Sequence, residues 1–253
     1  MSAWETLVFE REGPIGILTL NRPDRRNAIN AAMREELRSF WRERQDDLET
    51  RVMILTGAGA GFCSGVDIKE SAALMGAAMT PQKAYELQVH YSETILLMRR
   101  APQPILAALR GAAVGAGFSL AMAADIRLAD ASAKFQATYI NLGLGGADMG
   151  SSYFLARQVG LSNAARYLYS GDFFSAEEAL RIGLVSAVLP EENLMPETRK
   201  LAATLAAKTP LGLRLTKEAL NQNCGPVSLE EAIRLEDRNQ AMLIANLAST
   251  LKR

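Results

Sequence analysis

Two periods of apolar and polar positions alternate along the first half of the chain. Residues 7–10 and 15–20 are short apolar-rich runs flanking Glu12-Gly13-Pro14, which predicts an opening β-hairpin. Asn30 has N-cap chemistry, and Met33, Leu37, Phe40, Trp41 and Leu48 after it keep a helical period. Residues 52–56 read as a buried strand feeding a loop over 57–65. Residues 70–81 are rich in Ala and Met with no clear period, and read as a mobile flap over a cleft. A helix follows over 82–99, with Leu87, Tyr91, Ile95 and Met98 on one stripe. Residues 104–109 form another buried strand, leading into a loop over 111–117 and an apolar helix. Strands alternating with amphipathic helices predict an α/β domain.

From about residue 162 the pattern turns to helix after helix: SNAARYLYSG, SAEEALRIG, ETRKLAATLAAK and SLEEAIRLEDRNQAMLIANLAST. Each opens on a cap-type residue or an acidic first turn. One short strand, 184–189, interrupts them. The apolar stripes of this third have little sheet left to cover, so some are expected to pack against another subunit. The chain is accordingly divided into an α/β core, 1–195, and a C-terminal helical region, 196–253.

Composition narrows the class. The 253 residues are 49% hydrophobic, enough for a sizeable core. Lys plus Arg equals Asp plus Glu at 28 each, so no net field draws the chain to nucleic acid or an anionic membrane. Cys63 and Cys224 lack metal-ligand spacing and are too few for a disulfide framework. No secretory signal or membrane-length apolar run is seen, and a cytoplasmic location is expected.

The candidate chemistry lies in two glycine-rich loops, GFCSGVDIKE at 61–70 and RGAAVGAGFSLAMAA at 110–124. Two such loops can aim unpaired N–H groups at one point, which suits chemistry at a carbonyl. Gly115-Ala-Gly117 half-matches a dinucleotide fingerprint, but Leu120 stands where the third glycine is needed.

The segments LNRPDRRNAIN, GFCSGVDIKE, PILAALRGAAVGAGFSLAMAADIRLAD, AKFQATYINLGL and SAEEALRIGLVSAVLP occur in one order along residues 5–235. In that order and spacing the chain resembles the crotonase (enoyl-CoA hydratase/isomerase) family. The resemblance implies an α/β spiral of ββα turns with a C-terminal helical trimerisation region. It also implies acyl-CoA thioester substrates from fatty acid metabolism, with coenzyme A carried by the substrate and no other cofactor or metal. A homotrimer, or a hexamer made as a dimer of trimers, is the implied assembly. The oxyanion-hole positions of the family fall on the backbone N–H groups of Val66 and Ala116. Its coenzyme A-binding positions fall on Arg25, Arg26, Ala28, Gly65, Asp67, Ile68 and Lys217.

Hydratases of the family carry one glutamate on the helix after the second loop and another further along; here these positions are Ser119 and Tyr139. Neither is a general base near neutral pH. Asp148, in GLGGADMGSS, is the carboxylate left nearby, in the stretch where the family's dienoyl-CoA isomerases and aryl-CoA dehalogenases keep an aspartate. It reads either as a base raised in pKa by apolar neighbours or as the cap of a helix starting near Gly150. Proton transfer or double-bond isomerisation with Asp148 as base, and Tyr139 and Ser119 shaping the pocket, is the expected activity. The alternatives are a nucleophilic hydrolase or dehalogenase using Asp148, and an inactive acyl-CoA-binding subunit. His90 and Glu93 read as partly exposed helix residues, Glu93 being a reserve carboxylate, and Cys63 lacks a histidine to make it a nucleophile.

Overall fold

A computed structural model describes residues 4–70 and 80–225, together with Ile233 and Leu235. Residues 71–79 of the predicted flap (70–81), and all but Ile233 and Leu235 of the last predicted helix, therefore lie outside the described residues. Thr80 and Pro81, expected in the flap, instead cap and open the helix Pro81–Arg100.

The opening hairpin is β1 (Leu7–Glu12) and β2 (Ile15–Leu20), paired antiparallel. β3 (Val52–Gly57), β4 (Ile105–Leu109), β6 (Ile126–Asp130) and β9 (Ala187–Leu189) then add in parallel, giving the order β1-β2-β3-β4-β6-β9. A second sheet has β5 (Ala112–Val114), β7 (Lys134–Gln136) and β8 (Phe174–Ser175) in the order β5-β7-β8. The chain steps from the large sheet to the small one in each turn: β4 to β5, then β6 to β7. That stepping is the ββα spiral.

The central strands β2, β3 and β4 are buried on both faces, which is why they read as near-continuous apolar runs. On β3, Val52 and Ile54 face α7 (Glu191–Ala206) through Leu194, Ala202 and Ala206. Met53 and Leu55 face the other core, with Phe40 and Trp41 of α1 (Ala31–Glu43) and Phe118 of α3 (Ala116–Ala123). Asn30 caps α1, accepting from Met33 N at 3.0 Å. That helix ends at Glu43, so Leu48, expected on its stripe, is instead 83% exposed. α2 (Pro81–Arg100) packs on α1, and α3 is buried along its whole length.

After α3 come α4 (Ser151–Val159), α5 (Leu161–Ser170) and α6 (Ala176–Arg181), and α8 (Pro210–Asn223) follows α7. The strand expected over 184–189 is shorter, because Ser186 is tied to Arg127 O by both its N–H and its hydroxyl before β9 begins. No helix among the described residues is long and apolar enough to cross a membrane.

Candidate active site

Two loops meet at the N-terminus of α3. Residues 62–63 run beside β5, with Phe62 N donating to Arg110 O, Cys63 N to Ala112 O and Val114 N to Cys63 O at 2.8–2.9 Å. Glycine is required for this approach. A Cβ on Gly117 would lie 2.3 Å from Cys63 O. One on Gly65, whose φ is +92°, would lie 2.8 Å from Val114 O and 3.5 Å from Ala116 N. The backbones of the two loops are thus in direct contact.

The other edge of the first loop is pinned to residue 29. Ile29 N donates to Gly65 O at 2.7 Å, and Asp67 N donates to Ile29 O at 2.9 Å. These bonds hold the peptide planes on both sides of Val66. In a trans peptide the N–H points opposite to the C=O, so Val66 N–H faces away from Ile29. Ala116 opens α3, where N–H groups lack intrahelical acceptors. Neither the Val66 nor the Ala116 N–H has an acceptor among the described residues. Two unfilled donors on touching backbones, one at the positive end of a helix, suit a developing oxyanion.

Beside them lies a chain of polar groups. Ser119, fully buried, is 2.7 Å from the Tyr139 hydroxyl and donates to Asp148 O at 3.3 Å. With its one proton on that carbonyl, Ser119 accepts from Tyr139. Burial pushes the Tyr139 phenol well above its ordinary range, the Ser119 bond opposing and the Asp148 charge adding to it. Both groups are neutral hydrogen-bonding fixtures rather than bases.

Asp148 is half-buried, and burial raises its pKa despite hydrogen bonds from Met149 N (2.7 Å) and the Gln88 side chain of α2. Its second oxygen, Oδ2, has no hydrogen-bond partner among the described residues. The capping role does not hold. Gly150, at φ +82°, is the N-cap of α4 and makes no side-chain cap bond, while Asp148 engages Ser151 through its backbone. The structure therefore brings Ser119, Tyr139 and Asp148 together.

Around the first loop, Arg25 and Arg26 are exposed, with no side-chain partner among the described residues. Ile68 is 60% exposed and Ala28 is buried. Asp67 is held by Arg22 at 3.1 Å; against a burial that would raise it, the Arg22 hydrogen bond and charge keep its carboxyl low. Lys217 departs from expectation. Its ammonium is buried and engaged by Asp125 Oδ2 (3.1 Å), Gln103 O (2.8 Å) and Met98 O (3.3 Å), so it serves the packing of α8 on α2 rather than contact with coenzyme A. Desolvation pushes it down to about 8.

Glu93 accepts from Arg42 and Arg38 at 2.6 and 2.5 Å. The Arg42 hydrogen bond, against some burial and with help from Arg38, keeps it ionised and weakly basic, which removes it as a reserve base. His90 is partly exposed, 3.7 Å from Glu35. Cys63 donates to Asn27 O, and burial pushes its thiol up to about 12, so it is no nucleophile.

Sequence reasoning missed Asn27 and Gln88. Asn27 sits at φ +54° and spans the base of the first loop, donating to Ala58 O and Gly61 O at 2.9 Å and to Phe62 O at 3.1 Å. Asparagine tolerates that conformation better than most residues, the one signal its position carried. Gln88 meets Asp148 from a distant helix, which no local pattern announces.

The fold is a ββα spiral with two unfilled backbone donors on touching loops, and the chain belongs to the enoyl-CoA hydratase/isomerase family, whose sequence profile matches residues 10–250. Its members process acyl-CoA thioesters, and the chain is an enzyme of that kind. It is 39% identical over 236 residues to the probable enoyl-CoA hydratase EchA12 of Mycobacterium tuberculosis, covering 92% of this chain and 83% of the relative. It is 34% identical over 221 residues to the crotonyl-CoA hydratase of Syntrophomonas wolfei, covering 87% and 83%. Among solved structures it is similar to a probable enoyl-CoA hydratase/isomerase from Mycobacterium abscessus, with a TM-score of 0.88 at 34% identity, covering 98% of this chain and 97% of that one.

Proposed function

We propose that this enzyme shifts a double bond along the acyl chain of an unsaturated acyl-CoA thioester, with Asp148 as the single proton carrier. One observation carries the reading: Asp148 is the carboxylate-bearing residue joined to the hydroxyl pair Ser119–Tyr139, its backbone carbonyl accepting from Ser119 and its charge acting on the Tyr139 phenol. Water addition in the manner of the two-glutamate hydratases lacks its acids here. A single carboxylate suits isomerisation, because the proton it removes from one carbon can return to another.

The thioester oxygen accepts from Val66 and Ala116 N–H. Asp148 Oδ2 takes a proton from the acyl chain, the C–H electron pair moves into the conjugated system, and the negative charge collects on the thioester oxygen. Two preorganised donors stabilise that enolate by several kcal/mol. The carboxyl then returns the proton at the far carbon, and the carbonyl re-forms. Ser119 and Tyr139 hold the Asp148 backbone and shape the pocket wall. Arg25 and Arg26 take the coenzyme A phosphates, and the 65–68 loop with Ala28 borders its pantetheine arm. Exposed Leu161, Tyr169 and Phe173 support self-association, which we propose is trimeric.

The pH profile tests the base. Burial raises Asp148, and the working form is the carboxylate, so kcat/KM should climb with pH along one acidic limb centred above the ordinary aspartate value of 3.8. Gln88→Met removes a hydrogen bond that favours the carboxylate and should move that limb to higher pH. A limb that stays in place, or a rate that falls as pH rises through this range, contradicts the assignment.

Replacing both Arg25 and Arg26 with Ala should raise KM for coenzyme A thioesters about tenfold, since charge-assisted bonds contribute ~1.5–3 kcal/mol, while kcat stays within a factor of about two. Steady-state kinetics across a salt series checks this. The salt dependence of KM should flatten in the variant; an unchanged KM removes these arginines from the nucleotide site.

A further inference from the structure

We propose that Arg22 is a positioning residue for the Val66 N–H donor, acting through Asp67; the inference rests on the oxyanion site described above. Three groups converge on the short segment from Arg22 to Ile29. Arg22 Nη1 donates to Ala28 O at 2.5 Å and to Asp67 Oδ2 at 3.1 Å, while its backbone N–H donates to Asn27 Oδ1 at 2.9 Å. The guanidinium and the carboxylate are both mostly shielded, at 18% and 15% exposure, so solvent does little to weaken the pair.

The segment is held in an unfavourable shape. Arg26 and Asn27 are consecutive non-glycine residues in the left-handed region, at φ +51° and +54°. Such conformations persist only where surrounding bonds over-determine them. Here those bonds are the Arg22 ring closure onto Ala28 and the three carbonyls gripped by Asn27. What the strained turn holds is Ile29, and Ile29 holds Gly65 O and Asp67 N.

Val66 therefore lies between two peptide planes whose strand partner among the described residues is a single residue, Ile29. Backbone pairing of that length is weak by itself, because one isolated bridge has no ladder to reinforce it. The Arg22–Asp67 pair adds a side-chain tie on the downstream side, and Glu70 extends it: Glu70 N donates to Asp67 Oδ1 at 3.4 Å and its carboxylate accepts from Ala31 N at 3.1 Å. With Arg22 removed, the Asp67 carboxylate loses its cation on the downstream side and Ala28 O loses its donor. That loosens the peptide plane whose Ile29 N–H holds Gly65 O, so the plane carrying Val66 N–H can turn. Direction is the whole of that donor's contribution, so a small rotation acts on the chemistry rather than on binding.

Arg22→Met and Arg22→Lys test this in the full-length enzyme. The readouts are kcat, KM, the Kd for coenzyme A itself, and the infrared carbonyl frequency of a bound, carbonyl-labelled acyl-CoA. Arg22→Met should lower kcat about ten- to hundredfold, because ~1 Å of misplacement can cost that much. The Kd for coenzyme A should change less than about twofold, since Arg25 and Arg26 still face solvent. The carbonyl band should move back toward its frequency in water, and Arg22→Lys should recover part of both effects. Should Arg22→Met fail to fold, Arg22→Gln and Arg22→Lys carry the same comparison. A variant that keeps the wild-type carbonyl shift overturns the proposal, whatever its kcat. A wild-type enzyme that shows no carbonyl shift overturns the oxyanion reading itself, a distinct outcome.

Discussion

Asp148→Asn should lower isomerase turnover by about 10²–10⁴, the range a positioned general base contributes. The substitution keeps the shape and the hydrogen bond from Met149 N, and removes only the ability to take a proton. KM should move little, because Asp148 contributes nothing to coenzyme A binding in this account. Stability should not fall, because burial disfavours the ionised carboxylate. The neutral amide is free of that penalty at pH values above the raised pKa, so Tm at neutral pH should hold or rise slightly. Kinetics on a panel of unsaturated acyl-CoA thioesters, with thermal unfolding beside it, checks both halves. Wild-type turnover in the variant would return the search to another group.

Gly117→Ala should have an effect of similar size for an unrelated reason. Its new Cβ would sit 2.3 Å from Cys63 O and 2.7 Å from Cys63 Cβ, and both neighbours belong to the loop that carries Val66. Alanine is a better helix former by ~1 kcal/mol, which pulls the other way. The clash is with backbone that is itself hydrogen-bonded to β5, so the loop must shift as a unit, and overpacking of this kind costs ~1–3 kcal/mol. The two N–H donors then separate. A displacement near ~1 Å should cost about 10² in kcat with little change in the Kd for coenzyme A. Chemical denaturation and steady-state kinetics together read this, and a variant with wild-type kcat would show that the contact between the loops is not what sets the chemistry.

Much of this was legible before the fold was known, for identifiable reasons. β3 and β4 are buried on both faces, so Val52–Thr56 and Ile105–Leu109 stand out as apolar runs. α1 announces itself through the Asn30 cap and a clean stripe. The small second sheet was not legible. β5 and β7 have three residues each and β8 two, too short to show a period, and glycine-rich sequence around β5 reads as loop.

Site chemistry divided in the same way. The glycine loops carry their function in backbone geometry, and glycine records such geometry in the sequence. Lys217 misled because position in a motif says nothing about burial; its ammonium is enclosed by α2 and Asp125. Asp148 could not be separated from a helix cap until Gly150 was seen to occupy that place. Asn27, Arg22 and Gln88 act through tertiary contacts across 31 to 60 positions, which local patterns do not announce beyond the tolerance of asparagine for a left-handed turn.

The most direct measurement of the central claim is hydrogen exchange on the acyl chain in deuterated water, followed by NMR with wild type and Asp148→Asn. Wild type should place deuterium at the acyl carbons joined by the moving double bond, and Asp148→Asn should lose that exchange while still binding the thioester. Exchange at the wild-type rate in Asp148→Asn would contradict the account.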